Sequence, residues 1–320
     1  GTAFSELAGL LLARLHAAVT ADMERRHGKL PGGRSAVIAM GKLGGREMTA
    51  GSDLDLIIVY DAQPGAEMSL GPKPLSIGQY YARLTQRLIA ALAAPTAEGV
   101  LYDVDMRLRP SGSKGPVAAS LEGFASYHRD SAWTWEKLAL TRARAICGDA
   151  GLMNELTRHI RQALCETRAA ATVRDDVVTM RRLMIREQGS TGLWDIKRVR
   201  GGLVELEFIA QTLQLIHAPA QPGVLDTNTM AALKRLHTAG LIADADYAAL
   251  KSAGLLYHRL TQVLRLCLDG PYDPDKALPA LNHLVASAAA SPGLAAAESL
   301  LSETEAQVAT LFDRLVGHAG

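Results

Sequence analysis

The sequence predicts an α+β protein, a small mixed sheet with helical support followed by an all-helical bundle. Three observations carry that expectation. Residues 30–118 hold most of the β-branched, Gly/Pro-punctuated sequence, and nearly everything after Leu121 carries helical spacing. The chain's 320 residues also suffice for two cores, at roughly 100–200 residues per domain. The division expected is residues 1–149, including an N-terminal helix, and residues 150–320.

The first element is a helix from Phe4 to His27, with Leu7, Leu10, Leu11, Leu15, Ala18 and Val19 at helical spacing and Gly28 to Gly33 to stop it. Ser35 to Met40 is a short apolar run bounded by glycines, the pattern of a buried strand. Gly51-Ser52 precedes a second strand, Asp53 to Tyr60, whose first half alternates acid and Leu. Gln63 to Gly78 is rich in Pro and Gly and reads as a loop or hairpin insertion. From about Leu75 to Ala94 a helix follows, with Tyr81, Leu84, Leu88 and Leu92 in one stripe and Pro95 ending it. Gly99 to Arg109 returns to strand alternation, with Asp103, Asp105, Arg107 and Arg109 on one face and Val104, Met106 and Leu108 on the other. After Ala150 come five or six amphipathic helices, broken near Gly189–Gly192, Pro219–Pro222, Gly270–Pro274 and Pro292.

Composition excludes several classes. Hydrophobic residues at 48% and charged residues at 21% fit a folded chain, not a disordered one. Lys+Arg at 34 against Asp+Glu at 33 leaves no basic excess for bulk nucleic acid or an acidic membrane. Cys147, Cys165 and Cys267 are widely spaced, so neither a disulfide framework nor a zinc site is expected, and a reducing cytoplasm is the default location. No apolar run approaches the ~18–20 residues of a membrane span. Gly1-Thr2-Ala3-Phe4 does not open a secretory signal, and a chain beginning at Gly is expected to be a piece of a longer protein.

The sharpest chemical feature is Asp53-x-Asp55. Alternation puts both carboxylates on one strand face while Leu54 and Leu56 point into the core. Two adjacent carboxylates repel unless they share a cation, and hard oxygen donors suit Mg²⁺ held together with substrate phosphates. A solvated strand end is the plain alternative. Two neighbours favour the chemical reading. The strand ending at Met40 runs into Gly41-Lys42-Leu43-Gly44-Gly45, where close backbone approach and successive N–H groups suit an anion. Asp103 and Asp105 offer a third carboxylate for a two-metal cage. Arg107 and Arg109 would neutralise phosphate, or else pair with Asp103 and Asp105 along their own strand.

Strand, Gly turn, Asp-x-Asp strand, helix and acidic strand together resemble the polymerase-β-type nucleotidyltransferases. More closely, Met40 to Met48, Gly51 to Leu56 and Val104-Asp-Met-Arg-Leu-Arg-Pro110 are similar to the glutamine synthetase adenylyltransferase family. Ala132-Trp-Thr-Trp-Glu136, Leu140 to Arg144, Asp195-Ile-Lys197, Gly201-Gly202 and Glu205 to Phe208 extend the match in unchanged order. The helices from Gln211 onward carry no motif. The resemblance implies two nucleotidyltransferase halves on one long chain, of which this sequence holds one. One half adds AMP from ATP to a tyrosine of glutamine synthetase; the other removes it by phosphorolysis, and a PII-type signal protein regulates the whole. Arg109-Pro-Ser-Gly112 and Trp133-Thr-Trp-Glu136 look more like the C-terminal, adenylylating half.

By the same resemblance, Asp53 and Asp55 hold an Mg²⁺ ion bridging ATP's phosphates. Asp105 completes a second ion site and helps to activate the tyrosine, with Asp103 the alternative. The superfamily's usual small residue after the first Gly is replaced here by Lys42. The phosphate cradle is therefore assigned to Gly41, Gly44, Gly45 and Ser52, with Lys42 as a further contact. Arg107 and Lys197 are expected at phosphates, Lys197 having a plain alternative as a surface lysine. Glu205 and Glu207 point roughly 200° apart on a helix and cannot both face one site. Trp133 and Trp135 are expected to pack in a core or between domains, and Arg142 and Arg144 to be surface charges or nucleotide contacts. A non-catalytic docking module for the synthetase or a PII-type protein is the competing class. A nucleic-acid polymerase is disfavoured by the balanced charge and few aromatics.

Overall fold

The computed structural model describes residues 1–317. The chain forms two compact units, residues 1–48 with 52–164, and residues 49–51 with 165–320.

In the first unit, α1 (Thr2–His27) leads into β1 (Arg34–Ala39), a single helical turn α2 (Gly41–Gly44), and β2 (Leu54–Asp61). Next come α3 (Ile77–Leu92), β3 (Val104–Asp105), β4 (Ala118–Ser120), α4 (Leu121–Asp130), α5 (Thr134–Leu140), β5 (Arg144–Gly148) and α6 (Ala150–Leu164). The sheet runs β3-β2-β1-β5, with β4 also paired to β2. β1 is antiparallel to β2 and β5, whereas β3 and β4 are parallel to β2.

Period-2 alternation divides the sheet between two cores. Val37, Ala39, Leu54, Leu56 and Ile58 join Leu12 and Met23 of α1 and Leu84, Leu88 and Leu92 of α3 in one cluster. Ala36, Ile38, Ile57 and Val59 alternate with them and are equally buried, on the side where α4 contacts β2 and α6 contacts β1 and β5. A strand covered on both faces reads as a continuous apolar run, which is why Ala36 to Met40 lacks polar residues. α3 buries the expected stripe.

Several expectations need correction. α1 turns Ser5, Ala8, Leu12, His16 and Met23 inward and leaves Leu7 and Leu10 exposed; its first turns are apolar nearly all round, so spacing shows a helix without showing its face. By length and composition α1 also reaches a span's requirement, with an 18-residue window of mean hydropathy 1.2, contrary to the reading that no run does. Within the unit one side of it packs on α3 and β5. Of the expected strand from Gly99 to Arg109, Val104–Asp105 pairs with β2, and Gly99 makes an isolated bridge back to Thr96. Beyond Asp105 the Arg109 guanidinium donates to the carbonyls of Met106 (2.7 Å) and Pro116 (3.0 Å), so a side chain replaces a strand partner and the chain turns. β5 falls where helix was expected. The first unit also runs to Leu164 rather than residue 149, because α6 packs on β5, α4 and α5.

The second unit is the expected bundle: α7 (Ala170–Gln188), α8 (Leu203–His217), α9 (Thr229–Thr238), α10 (Asp244–Cys267), α11 (Pro279–Ala288) and α12 (Leu294–Leu315). α8 is buried nearly all round, polar Glu205, Gln211, Thr212 and Gln214 included, and contacts α7, α9, α10 and α12. Gly201, just before it, has φ +81°, and a β-carbon there would lie 1.8 Å from the Glu305 carbonyl oxygen.

Candidate active site

Parallel register places Asp55 opposite Asp105 and Leu54 opposite Val104. Register partners share a face, and Asp53 lies two residues before Asp55, so three carboxylates converge where β2 and β3 begin. One oxygen from each of the three lies within 4.8 Å of the other two. Asp53 is exposed, Asp55 and Asp105 half-buried. The Asp103 carbonyl accepts the Leu54 N–H at 2.9 Å, fixing the start of the pairing. Among the described residues the carboxylate of Asp103 is not in the cluster, so Asp105 is the third acid.

The turn after β1 is shaped around this cluster. Met40 N–H donates to the Asp55 carbonyl at 2.9 Å. Gly41 has φ +51°, and a β-carbon on it would lie 2.1 Å from Asp55 Oδ2; only glycine leaves room for that carboxylate. Residues 41–44 then form α2 in place of the expected open glycine turn. Gly44 is small for another reason, since its β-carbon would meet the Arg142 carbonyl at 1.9 Å. Lys42 is half-buried on the turn, Gly45 ends it, and Ser52 is half-buried beside Asp53 in the chain.

Arg142 and Arg144 are neither free surface charges nor placed as nucleotide contacts. Arg144 donates to the carbonyls of Leu43 (3.1 Å) and Gly44 (3.2 Å) and so ties the end of α2 to β5. Arg142 is buried and ion-paired with buried Glu47. The start of β5 thus clamps the turn, a function that sequence spacing did not reveal.

Arg107 takes the plain alternative. Its backbone N–H donates to Asp105 Oδ1 at 2.8 Å, and its Nε and Nη2 donate to Oδ2 at 2.8 and 2.5 Å. This guanidinium holds the Asp105 carboxyl below the usual carboxylate range, with the more distant charge of Arg109 adding to it. Arg107 is raised in turn, first by Asp105 and further by the charges of Asp55 and Asp53.

Trp133 and Trp135 are exposed, against the expectation that they pack. Between them in function is Glu136, which is buried, accepts the Tyr127 hydroxyl at 2.7 Å and the Trp133 N–H at 2.9 Å, and so caps α5. Lys197 belongs to the second unit and is exposed there. Glu205 is fully buried, ion-paired with Arg181 (2.8 Å) and Arg200, and accepts the Gly201 N–H at 2.9 Å. Its task is to fix the loop before α8, while Glu207 is only half-buried.

Residues 1–159 match the family described as glutamate-ammonia ligase adenylyltransferase. Residues 174–274 match the family described as GlnD PII-uridylyltransferase. Among curated relatives, the bifunctional glutamine synthetase adenylyltransferase/adenylyl-removing enzyme of Rhizobium meliloti is 47% identical over 323 residues, covering 100% of this chain. Its namesakes from Agrobacterium fabrum and Rhodopseudomonas palustris are 46% and 44% identical over 99% and 98% of the chain. The chain spans about a third of the length of each, 32%. Identity at this level along the whole chain, with the three acids and the glycine turn in place, means that the chain belongs to the glutamine synthetase adenylyltransferase family.

Proposed function

We propose that the first unit transfers AMP from ATP to a tyrosine hydroxyl of glutamine synthetase in the cytoplasm, releasing pyrophosphate and silencing that enzyme. The observation that carries this reading is the convergence of Asp53, Asp55 and Asp105, with one oxygen of each within 4.8 Å of the others. Three hard carboxylate donors, with Gly41 making room for the Asp55 carboxylate, fit Mg²⁺. Asp53 and Asp55 would hold one ion, and Asp105 would complete a second site. Bound there, Mg²⁺ would neutralise triphosphate charge and acidify the attacking hydroxyl.

The chain's own residues supply the remainder. A tyrosine hydroxyl titrates near ~10, so its proton must leave as it attacks, and Asp105 is the carboxylate that would help to remove it. Attack at the α-phosphorus forms the new O–P bond and breaks the bond to the α,β-bridging oxygen, which leaves with its electron pair in pyrophosphate. The N–H groups of Gly44 and Gly45 already donate to the carbonyls of Met40 (2.8 Å) and Gly41 (3.1 Å), so phosphate oxygens would lie against the start of the turn at Gly41 and against Ser52, with Lys42 and Arg107 supplying positive charge. The likeness of residues 174–274 to a PII-uridylyltransferase supports regulation of the whole enzyme by a PII-type protein. All three acids are present, which argues against a docking platform that has lost its chemistry.

The test is to incubate glutamine synthetase with the chain, Mg²⁺ and ATP labelled at the α-phosphate. Label on the synthetase that vanishes in Asp53→Ala/Asp55→Ala supports the reading. Release of ADP from pre-adenylylated synthetase on addition of orthophosphate, without forward transfer, assigns this chain to the removing half instead.

A further inference from the structure

Asp105 has no oxygen outside the reach of Arg107. Oδ1 takes the Arg107 backbone N–H, and Oδ2 takes both Nε and Nη2 of its side chain. A divalent cation coordinated by Asp105 needs a lone pair on that carboxylate; the guanidinium occupies both of those on Oδ2, leaves one on Oδ1 beside the backbone N–H, and its charge repels an ion at either oxygen. The two partners differ in freedom. The side chain of Asp105 is 17% exposed and its backbone is pinned opposite Asp55, whereas the Arg107 side chain is 82% exposed. The movable member is Arg107. An exposed ion pair is weakly held, and a triphosphate offers the same planar fork several oxygens of higher charge.

We propose that Arg107 is an internal occupant of the cation site, which makes cation binding at Asp105 depend on nucleotide. Without nucleotide, Arg107 sits on Asp105 and opposes the ion. When a triphosphate enters, its phosphates draw the guanidinium away, and the freed carboxylate accepts the cation. Linkage makes the effect reciprocal, so the cation tightens the nucleotide by the same factor. This inference rests on the reading of the three carboxylates as a cation site.

The experiment measures Mn²⁺ binding to the chain by the electron paramagnetic resonance of free Mn²⁺, so that no turnover is needed. Wild type, Arg107→Gln and Asp55→Asn are titrated alone and with an ATP analogue whose α,β-bridging oxygen is a methylene. The expected result is that Arg107→Gln binds Mn²⁺ about fivefold or more tighter than wild type without nucleotide. The analogue should strengthen Mn²⁺ binding by wild type and have a smaller effect on Arg107→Gln. Equal nucleotide-free affinity in wild type and Arg107→Gln, with binding lost in Asp55→Asn, overturns the proposal and leaves the cation site standing. Binding that is unaffected by Asp55→Asn overturns the cation site, and the proposal with it. Circular dichroism of each variant confirms that the fold is retained.

Discussion

The guanidinium of Arg142 and the carboxylate of Glu47 form a buried ion pair, each side chain 6% exposed, that joins the turn between α5 and β5 to the segment after α2. Glu47 is tied in again by its backbone, whose N–H donates to the Lys42 carbonyl at 2.8 Å. Removing one partner of such a pair strands a buried charge and costs about 3–5 kcal/mol, more than the pair itself contributes. Glu47→Gln and Arg142→Met are therefore expected to lower stability against urea by about 3 kcal/mol each. The double variant should lose clearly less than their sum, and a strictly additive double-mutant cycle would contradict the coupling.

Gly41 is the position where one methyl group disables the site. It combines φ +51° with a β-carbon location 2.1 Å from Asp55 Oδ2, so Gly41→Ala must move a carboxylate as well as strain its own backbone. A misplacement near 1 Å costs about a hundredfold in rate. AMP transfer by Gly41→Ala should fall by roughly that factor while far-ultraviolet circular dichroism is unchanged. Gly51→Ala shares the positive φ, at +64°, but its β-carbon meets nothing within 4 Å, and its loss should be much smaller.

Alternation in the sequence leaves Asp103 and Asp105 as rivals for the third carboxylate, and the parallel register with Asp55 decides between them. Asp105→Asn is expected to reduce AMP transfer by about a hundredfold or more, the range for removing a catalytic acid or base. Asp103→Asn keeps the carbonyl that receives Leu54 N–H and should stay within a few-fold of wild type in the same assay. A larger loss in Asp103→Asn would reverse the assignment.

What the sequence revealed and what it hid follow from the range of the forces involved. Asp53 and Asp55 sharing a face, Leu54 and Leu56 in the core, and the α3 stripe are all set by local periodicity, which needs no knowledge of partners. The breaks between the bundle helices are marked by Gly and Pro and were legible for the same reason. β5 was missed because Arg144–Gly148 is five residues close behind a helix, and its identity as a strand comes from pairing with β1. The clamp was missed because Glu47 and Arg142 are 95 residues apart. The truncation of the expected strand at Asp105 depends on Arg109 folding back onto the carbonyls of Met106 and Pro116, a side-chain act that alternation does not encode.

The second unit contains one group out of balance with neutral pH. Glu305 of α12 is buried, its Oε1 has no hydrogen-bond partner among the described residues, and burial pushes its carboxyl up to about 8. Tyr257 of α10, whose own hydroxyl is raised first by burial and further by the charges of Glu305 and Glu205, donates to the Gly201 carbonyl at 2.7 Å. Arg181 and Arg200 are both committed to Glu205. A carboxyl raised in the folded state favours folding while it is protonated. Its contribution is therefore complete below the unfolded value near ~4.3 and is lost as pH rises through about 8. The wild-type chain should accordingly melt roughly 5 °C lower at pH 9 than at pH 6, with faster amide exchange in α12. Glu305→Gln, which cannot ionise, should show a flatter dependence and exceed wild type at pH 9. Parallel pH profiles for the two proteins would mean that Glu305 ionises freely in the folded state.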